Sequence, residues 1–195
     1  MSLIRQIRSL WNISQAGEIA RRYFVVNGFD GALTMLGILL GFYAGGEVPL
    51  RVVLSACLGA AIALGISGFT SALLSETEER KKELKELEAS LVAPLDQSDY
   101  GRASQITPWV IAAVNGLSPF LISLFIILPV WLDEYGVLWP FLLDPLEAAI
   151  GFSFLAIFFL GIFLGRISGA FWLWSGLRAL LIGLITAGII FWIGG

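Results

Sequence analysis

The 195-residue sequence contains no histidine and a single cysteine, Cys57, which lies inside an apolar run. One cysteine excludes an intramolecular disulfide framework and a thiolate metal cluster, and the lack of histidine removes the commonest general base and metal ligand. Charged residues are also few, at 14% of the chain. Any chemistry must therefore use carboxylates, amides, hydroxyls and backbone groups.

Nucleic-acid binding has no support, because no basic cluster is interleaved with aromatic residues. Apolar residues are instead abundant: they make up 57% of the chain, and the mean hydropathy is +0.86. These values are far from the average of a soluble domain. We therefore predict an all-α integral membrane protein whose surroundings are the lipid bilayer, with no nucleic-acid partner.

Five apolar runs can each cross a bilayer as a helix, at roughly 20 residues per span. Their approximate bounds are 23–44, 51–74, 108–131, 148–164 and 177–193. The second span is predicted to continue into water as a charged helix over 75–90, because this segment is mostly Glu, Lys and Arg. Residues 91–106 contain Pro, Asp and Gly and are predicted to be a linker. The five-span transmembrane domain then covers 21–195.

Residues 1–20 are predicted to form an amphipathic helix in the membrane interface, since apolar side chains and arginines fall on opposite sides of a helical wheel. The twelve basic residues also fix an orientation. With the N-terminus in the cytoplasm, all of them except Arg51 lie on the cytoplasmic side. We predict a cytoplasmic N-terminus and an external C-terminus, and a prokaryotic cell membrane as the location.

Asp30 is the only charged residue between Tyr23 and Ala44. A charged side chain at mid-membrane costs about 2.5 to 3.5 kcal/mol on insertion scales, so it persists mainly where it faces protein, water or an ion. Asn27, Asp30 or Gly31, and Thr34 have the spacing that shares one helical face. The spacing predicts a polar track through the membrane, centred on Asp30.

Two further spans carry polar residues that we predict to lie at a similar depth. Ser67 and Ser71 are in the second span, and Asn115 is in the third, where Pro119 leaves the Asn115 carbonyl without its helical donor. Such serines often bond only to their own helix, and the free carbonyl requires a neighbouring helix, water or an ion. Oxygen ligands suit divalent cations such as manganese, magnesium, calcium or ferrous iron.

The charged helix places four glutamates on one face. Glu76, Glu79, Glu83 and Glu86 are spaced i, i+3, i+7 and i+10. Arg80 neutralises part of this charge, as does a neighbouring lysine. Two interpretations remain: a solvated helix held by salt bridges, or a face that collects cations at the cytoplasmic mouth.

Several short motifs occur in the order in which one known family carries them. They are Gly28-Phe29-Asp30-Gly31, Ser75-Glu76 after a small-residue span, Ile127-Leu128-Pro129, and Gly183 through Ala187 to Ile193-Gly194. Over residues 20–195 the chain resembles the vacuolar iron transporter family of ferrous iron and manganese exporters. One departure is that Gly68 and Ala72 stand where that family carries a methionine and a glutamate.

The resemblance implies a function and its residues. In that family the aspartate matching Asp30 lines a pathway at a homodimer interface, metal is exchanged against protons, and cytoplasmic glutamates bind metal before translocation. It therefore implies export of a divalent cation by metal/proton antiport, with Asp30 and the glutamates Glu76, Glu79 and Glu83 as metal-binding residues. Glu86 joins them through the shared helical face. The metal is substrate, and no permanently bound cofactor is expected.

A transporter has two alternatives among membrane proteins. An intramembrane enzyme is disfavoured, because the spans offer one carboxylate and neither histidine nor lysine for a hydrolytic dyad. A non-transporting membrane scaffold, or a metal-sensing protein of the same fold, remains the alternative. Glycine strips at 37, 41 and 45 and at 161, 165 and 169 would serve helix packing in either case.

Overall fold

A computed structural model of the chain describes residues 16–92, 94–95, 97–136 and 144–194. Within these ranges the regular structure is helical, without a strand. The helices are α1 (Ala16–Ala44), α2 (Leu50–Leu91), α3 (Asp99–Ile126), α4 (Leu128–Glu134), α5 (Pro145–Ser168) and α6 (Trp172–Gly194). The amphipathic helix predicted over 1–20 falls outside the described residues, except that 16–20 begin α1.

In the described part of the chain, five helices are long and apolar enough to cross a membrane. They are α1, α2, α3, α5 and α6, and each contains one of the five predicted spans or most of it. The prediction of an all-helical integral membrane protein is therefore confirmed. The second of these helices is unbroken over 42 residues and includes the charged segment 75–90.

Two predicted boundaries are wrong. Residues 99–106 were predicted as linker, but they are helical, because Ser98 caps α3: its hydroxyl oxygen accepts a hydrogen bond from the Gly101 N–H at 3.1 Å. The third span was predicted to continue to residue 131, but α3 ends at Ile126. The chain then enters the short helix α4, with Pro129 in its first turn, where a missing N–H costs nothing.

The chain divides into two compact units. The first contains the described residues up to Phe24 together with those of Gly65–Leu117. Its core is formed by Ala72, Ile111 and Ala112, with Phe69 packed against them. The backbones approach closely beside this core, since a Cβ atom added to Gly116 would lie 2.6 Å from the Gly65 carbonyl oxygen. Only glycine fits at such a distance.

The second unit contains Val25–Leu64 and the described residues after Leu117. Its largest fully buried side chains include Met35, Leu36 and Ile157. Here α5 and α6 meet through small residues: a Cβ on Gly161 would lie 2.6 Å from the Ala179 Cβ. This close contact agrees with the packing role predicted for Gly161, and a Cβ on Gly165 would likewise meet Ser175 at 2.6 Å. The third member of the predicted strip, Gly169, does not pack: it ends α5 in the left-handed conformation and has open space around it.

Candidate functional site

Asp30 lies in the second unit, on the exposed side of α1. Two glycines fix this orientation. A Cβ on Gly31 would lie 2.8 Å from the backbone of Pro119, and one on Gly28 would lie 3.0 Å from a methyl group of Leu160. Because both glycines must face their neighbours, Asp30 is turned away from them.

The predicted polar track is therefore split by the packing of α1. Asp30 is exposed and Gly31 is buried, although the spacing alone allowed either to share a face with Asn27 and Thr34. Asn27 and Thr34 are half-buried at the edge of the exposed side. No hydrogen bond or ion pair joins Asp30 to another residue in the described ranges.

The exposed side of α1 is otherwise apolar and small. Val26 is 53% exposed one turn before Asp30. Further along the helix, a Cβ on Gly41 would meet nothing within 4 Å, and one on Gly37 would meet only a side-chain methyl at 3.8 Å. The first glycine strip is thus left open within one chain, and it continues the side that carries Asp30.

Asn115 is buried in the first unit and is used for packing between helices. Its side-chain amide donates a 2.6 Å hydrogen bond to the Gly68 carbonyl oxygen of α2. The Asn115 carbonyl that Pro119 leaves without a helical donor is equally close to this helix, since a Cβ on Gly68 would lie 2.9 Å from it. The predicted path residue therefore joins α3 to α2.

The two serines predicted for the path lie on the exposed surface of α2. Ser71 donates a hydrogen bond to the Gly68 carbonyl at 3.3 Å, which is a bond within its own helix. Ser67 is exposed, and its carbonyl accepts a bond from Thr70 at 3.2 Å. Both serines are thus accessible from outside the chain rather than enclosed in it.

Glu76 differs from the other predicted glutamates because it is only 4% exposed. The Tyr23 hydroxyl donates to its Oε1 at 3.3 Å, and the Arg80 guanidinium lies 3.6 Å from its Oε2. Arg80 also donates to Glu83 at 2.7 Å. Two carboxylates of the acidic face therefore share one arginine, and this neutralises part of the repulsion expected between them.

The other two glutamates of the face, Glu79 and Glu86, are exposed. Glu86 lies 3.8 Å from the Lys82 ammonium, at a solvent-facing site. On the same helix Lys81 donates a 2.8 Å hydrogen bond to Glu78, and this bond lowers the pKa of the Glu78 carboxyl. Across the described residues, no group of three or more Asp, Glu or Cys side chains converges in a metal-binding arrangement.

Sequence reasoning missed two features of these sites. Tyr23 is 53 positions from Glu76 in the chain, so no helical spacing relates them. Ser118 and Ser123 are fully buried in the second unit. Pro119 lacks a backbone N–H and so interrupts the hydrogen bonding of the helix near Ser118. The sequence does not show, however, whether Ser118 or Ser123 is buried. Ser123 Oγ has no hydrogen-bond partner among the described residues.

The chain is similar in sequence to one known family and to one archaeal protein. The sequence profile of the VIT family matches residues 68–195. The chain is also 29% identical over 180 residues to an uncharacterized protein from Methanocaldococcus jannaschii, a match that covers 89% of this chain and 87% of the relative. No solved structure matches the chain significantly.

Proposed function

The chain belongs to the VIT family, a family of membrane metal transporters, and from this membership we propose that it exports ferrous iron or manganese from the cytoplasm in exchange for protons. Its five apolar helices supply the membrane domain that such a carrier needs. The observation that carries the proposal is the position of Asp30, an exposed carboxylate in the middle of an apolar helix.

A carboxylate facing lipid is unfavourable by about 2.5 to 3.5 kcal/mol or more. The described residues offer Asp30 no ion pair that would offset this cost. The remaining ways to stabilise it are water, a bound cation or another protein surface. A metal pathway along the exposed side of α1 would provide both water and a bound cation.

A homodimer would provide the other protein surface that can stabilise Asp30. The side of α1 that carries Asp30 also carries Val26 and the open glycines Gly37 and Gly41. Small residues at four-residue spacing let a second helix approach closely in a membrane. We propose that a second copy packs on this side and that the pathway runs along the resulting interface, with Asn27 and Thr34 at its edge.

The acidic helix is proposed to raise the cation concentration at the entrance. Glu79 and Glu86 are exposed and can meet a hydrated cation. Glu76 and Glu83 hold Arg80 between them, so they would bind metal only after giving up that arginine. Clustered charge of one sign increases the local concentration of its counter-ion without a fixed coordination site.

The proposal of antiport is supported by the chemistry of a single carboxylate. A bound cation favours the ionised form of a carboxyl group, and apolar surroundings without a cation favour the protonated form. One side chain can therefore carry a metal in one direction and a proton in the other. With the N-terminus in the cytoplasm, the acidic helix lies on the cytoplasmic side, where metal would enter.

The decisive experiment is metal flux into proteoliposomes with Asp30→Asn. We expect at least about a tenfold loss of flux, since the amide cannot bind a cation as a carboxylate does. Asp133→Asn is the matched control, because Asp133 is an exposed aspartate on the short helix α4. Normal flux through the Asp30 variant would remove Asp30 from the pathway. Absence of metal flux through the unmodified chain would refute the carrier assignment and favour the alternative, a non-transporting scaffold or metal sensor.

A second measurement addresses the metal and the coupling. Vesicles loaded with a pH-sensitive dye are exposed in turn to ferrous iron, manganese, magnesium and calcium. A metal that is carried by antiport changes the internal pH, and the change disappears without metal. Metal uptake with no pH change would leave transport intact but remove the antiport mechanism.

A further inference from the structure

A cavity of about 370 Å³ lies in the second unit, far along α1 from Asp30. It lies between the last turns of α1, the first turns of α5 and the last turns of α6. Its apolar wall is formed by Leu40, Ile150, Phe154, Leu184, Ala187 and Phe191. The volume is within the range of ligand-binding pockets in proteins.

The cavity opens outward between the helices. Leu184 is 58% exposed and Phe191 is 44% exposed, although both line it. From Glu147 to Phe154 the wall extends over seven residues of α5, or about 10 Å. That depth is roughly two thirds of the hydrocarbon thickness of one bilayer leaflet, which is about 15 Å. In a membrane, an apolar opening between helices at this depth faces the acyl chains of the lipids.

One end of the cavity is acidic. Glu147, in the first turn of α5, accepts a hydrogen bond from the Tyr43 hydroxyl at 3.4 Å. The Tyr43 ring is held against the cavity wall by an edge-to-face contact with Phe191, with ring centroids 6.4 Å apart. Glu147 makes no ion pair within the described ranges, so its negative charge is available to a cationic group.

We propose that this cavity binds a phospholipid with a primary-amine headgroup. One acyl chain lies along the apolar wall, and the protonated amine donates hydrogen bonds to Glu147 and to the Tyr43 oxygen. The charge selects the headgroup: an anionic lipid is repelled by the carboxylate. A choline lipid has no N–H to donate. The polar pair lies at the helix ends, which is the level of the headgroups.

The test compares lipids that differ only in the headgroup. The purified full-length chain is titrated by native mass spectrometry with phosphatidylethanolamine, phosphatidylcholine and phosphatidylglycerol of identical acyl chains. We expect phosphatidylethanolamine to bind about tenfold more tightly than the other two, the factor expected for one charge-assisted hydrogen bond. Successive N-methylation of the amine should reduce the preference stepwise.

Two variants separate the headgroup from the acyl chain. Glu147→Gln keeps the size of the side chain and should abolish the amine preference while all three lipids still bind. Ala187→Phe fills the cavity and should weaken all three. Glu134→Gln removes another exposed carboxylate, at the end of α4, and should behave like the unmodified chain.

Equal binding of the three lipids by the unmodified chain would overturn the proposal, as would a Glu147→Gln variant that keeps the preference. If Ala187→Phe changes the oligomeric state and leaves lipid binding unaltered, the cavity accommodates a second copy of the chain and the proposal is wrong. Thermal unfolding of each variant establishes that it is folded. None of these measurements depends on metal transport.

Discussion

The two units differ in the partners that they give to a carboxylate. In the first unit Glu76 is buried and is bound on both sides, by Tyr23 and by Arg80. In the second unit Asp30 is exposed in the middle of an apolar helix, and the described residues give it neither hydrogen bond nor ion pair. Glu76 has partners inside the chain, although its Oε2 makes only the 3.6 Å ion pair and accepts no hydrogen bond among the described residues. A carboxylate without any such partner requires something outside the chain.

The surroundings of each carboxylate show the same difference. Around Glu76 the chain supplies its own polar partners, and Asn115 adds a hydrogen bond to Gly68 in the same unit. Around Asp30 the neighbouring glycines serve only to bring helices together. This comparison predicts a graded series of effects on stability, largest where packing is tightest and smallest at Asp30.

The largest effect is expected at the crossing of α2 and α3. Gly116→Ala places a Cβ atom 2.6 Å from the Gly65 carbonyl oxygen and 2.8 Å from the Phe69 Cβ, so the helices must move apart. We expect a loss of about 3 kcal/mol in the free energy of unfolding, measured in mixed detergent micelles. Gly59→Ala is the control, since its Cβ meets nothing within 4 Å. Similar results for both would mean that the crossing is looser than described.

The next effect is expected at the buried carboxylate. Glu76→Gln removes the charge beside Arg80, whose side chain is only 13% exposed, and should cost about 2 kcal/mol in unfolding free energy. Glu79→Gln, on the same helix but exposed, should change it by less than about 0.5 kcal/mol. Equal losses of unfolding free energy for Glu76→Gln and Glu79→Gln would mean that the contacts of Glu76 with Tyr23 and Arg80 do not stabilise the fold.

A smaller effect on stability is expected at Asn115, whose side-chain amide joins α3 to α2. Asn115→Ala removes the 2.6 Å hydrogen bond to the Gly68 carbonyl and should cost about 1 kcal/mol, as membrane hydrogen bonds do. Ser71→Ala removes a second donor to the same carbonyl. Because that bond lies within one helix, this change should cost less, and a larger loss at Ser71 would contradict the packing role of Asn115.

The smallest effect on stability is expected at Asp30. Asp30→Asn removes a charge that has no partner in the described chain, so no stabilising contact is lost, and the unfolding free energy of the monomer in detergent should not fall by more than about 0.5 kcal/mol. Flux should nevertheless be lost. A destabilisation as large as that of Glu76→Gln would place Asp30 among the structural residues and end the contrast between the two units.

Much of the fold follows from sequence patterns, and the exceptions have local causes. Hydropathy alone locates the five spans. It does not reveal that Ser98 caps a helix, so 99–106 were misassigned, because Gly101 is a weak helix former that the cap compensates. Nor does it reveal the break at Ile127, where the next helix begins with Leu128 and Pro129 in place of a continued span.

The site was less predictable than the fold. The period of a helix allowed either Asp30 or Gly31 to share a face with Asn27 and Thr34, and only the close contact of Gly31 with Pro119 decides between them. The partners of Glu76 include Tyr23, which is distant in the chain and lies on another helix. Periodicity relates residues within one helix, whereas these contacts depend on how two helices cross.

The unbroken length of α2 has a mechanical consequence. At 42 residues it is about 60 Å long, twice the thickness of a bilayer's hydrocarbon core of about 30 Å. It has no joint between Gly68, where it touches Asn115, and Arg80, where the glutamates meet. Because the helix is continuous, a rotation or tilt of the segment around Arg80 is transmitted to the contact between Gly68 and Asn115, about three turns away.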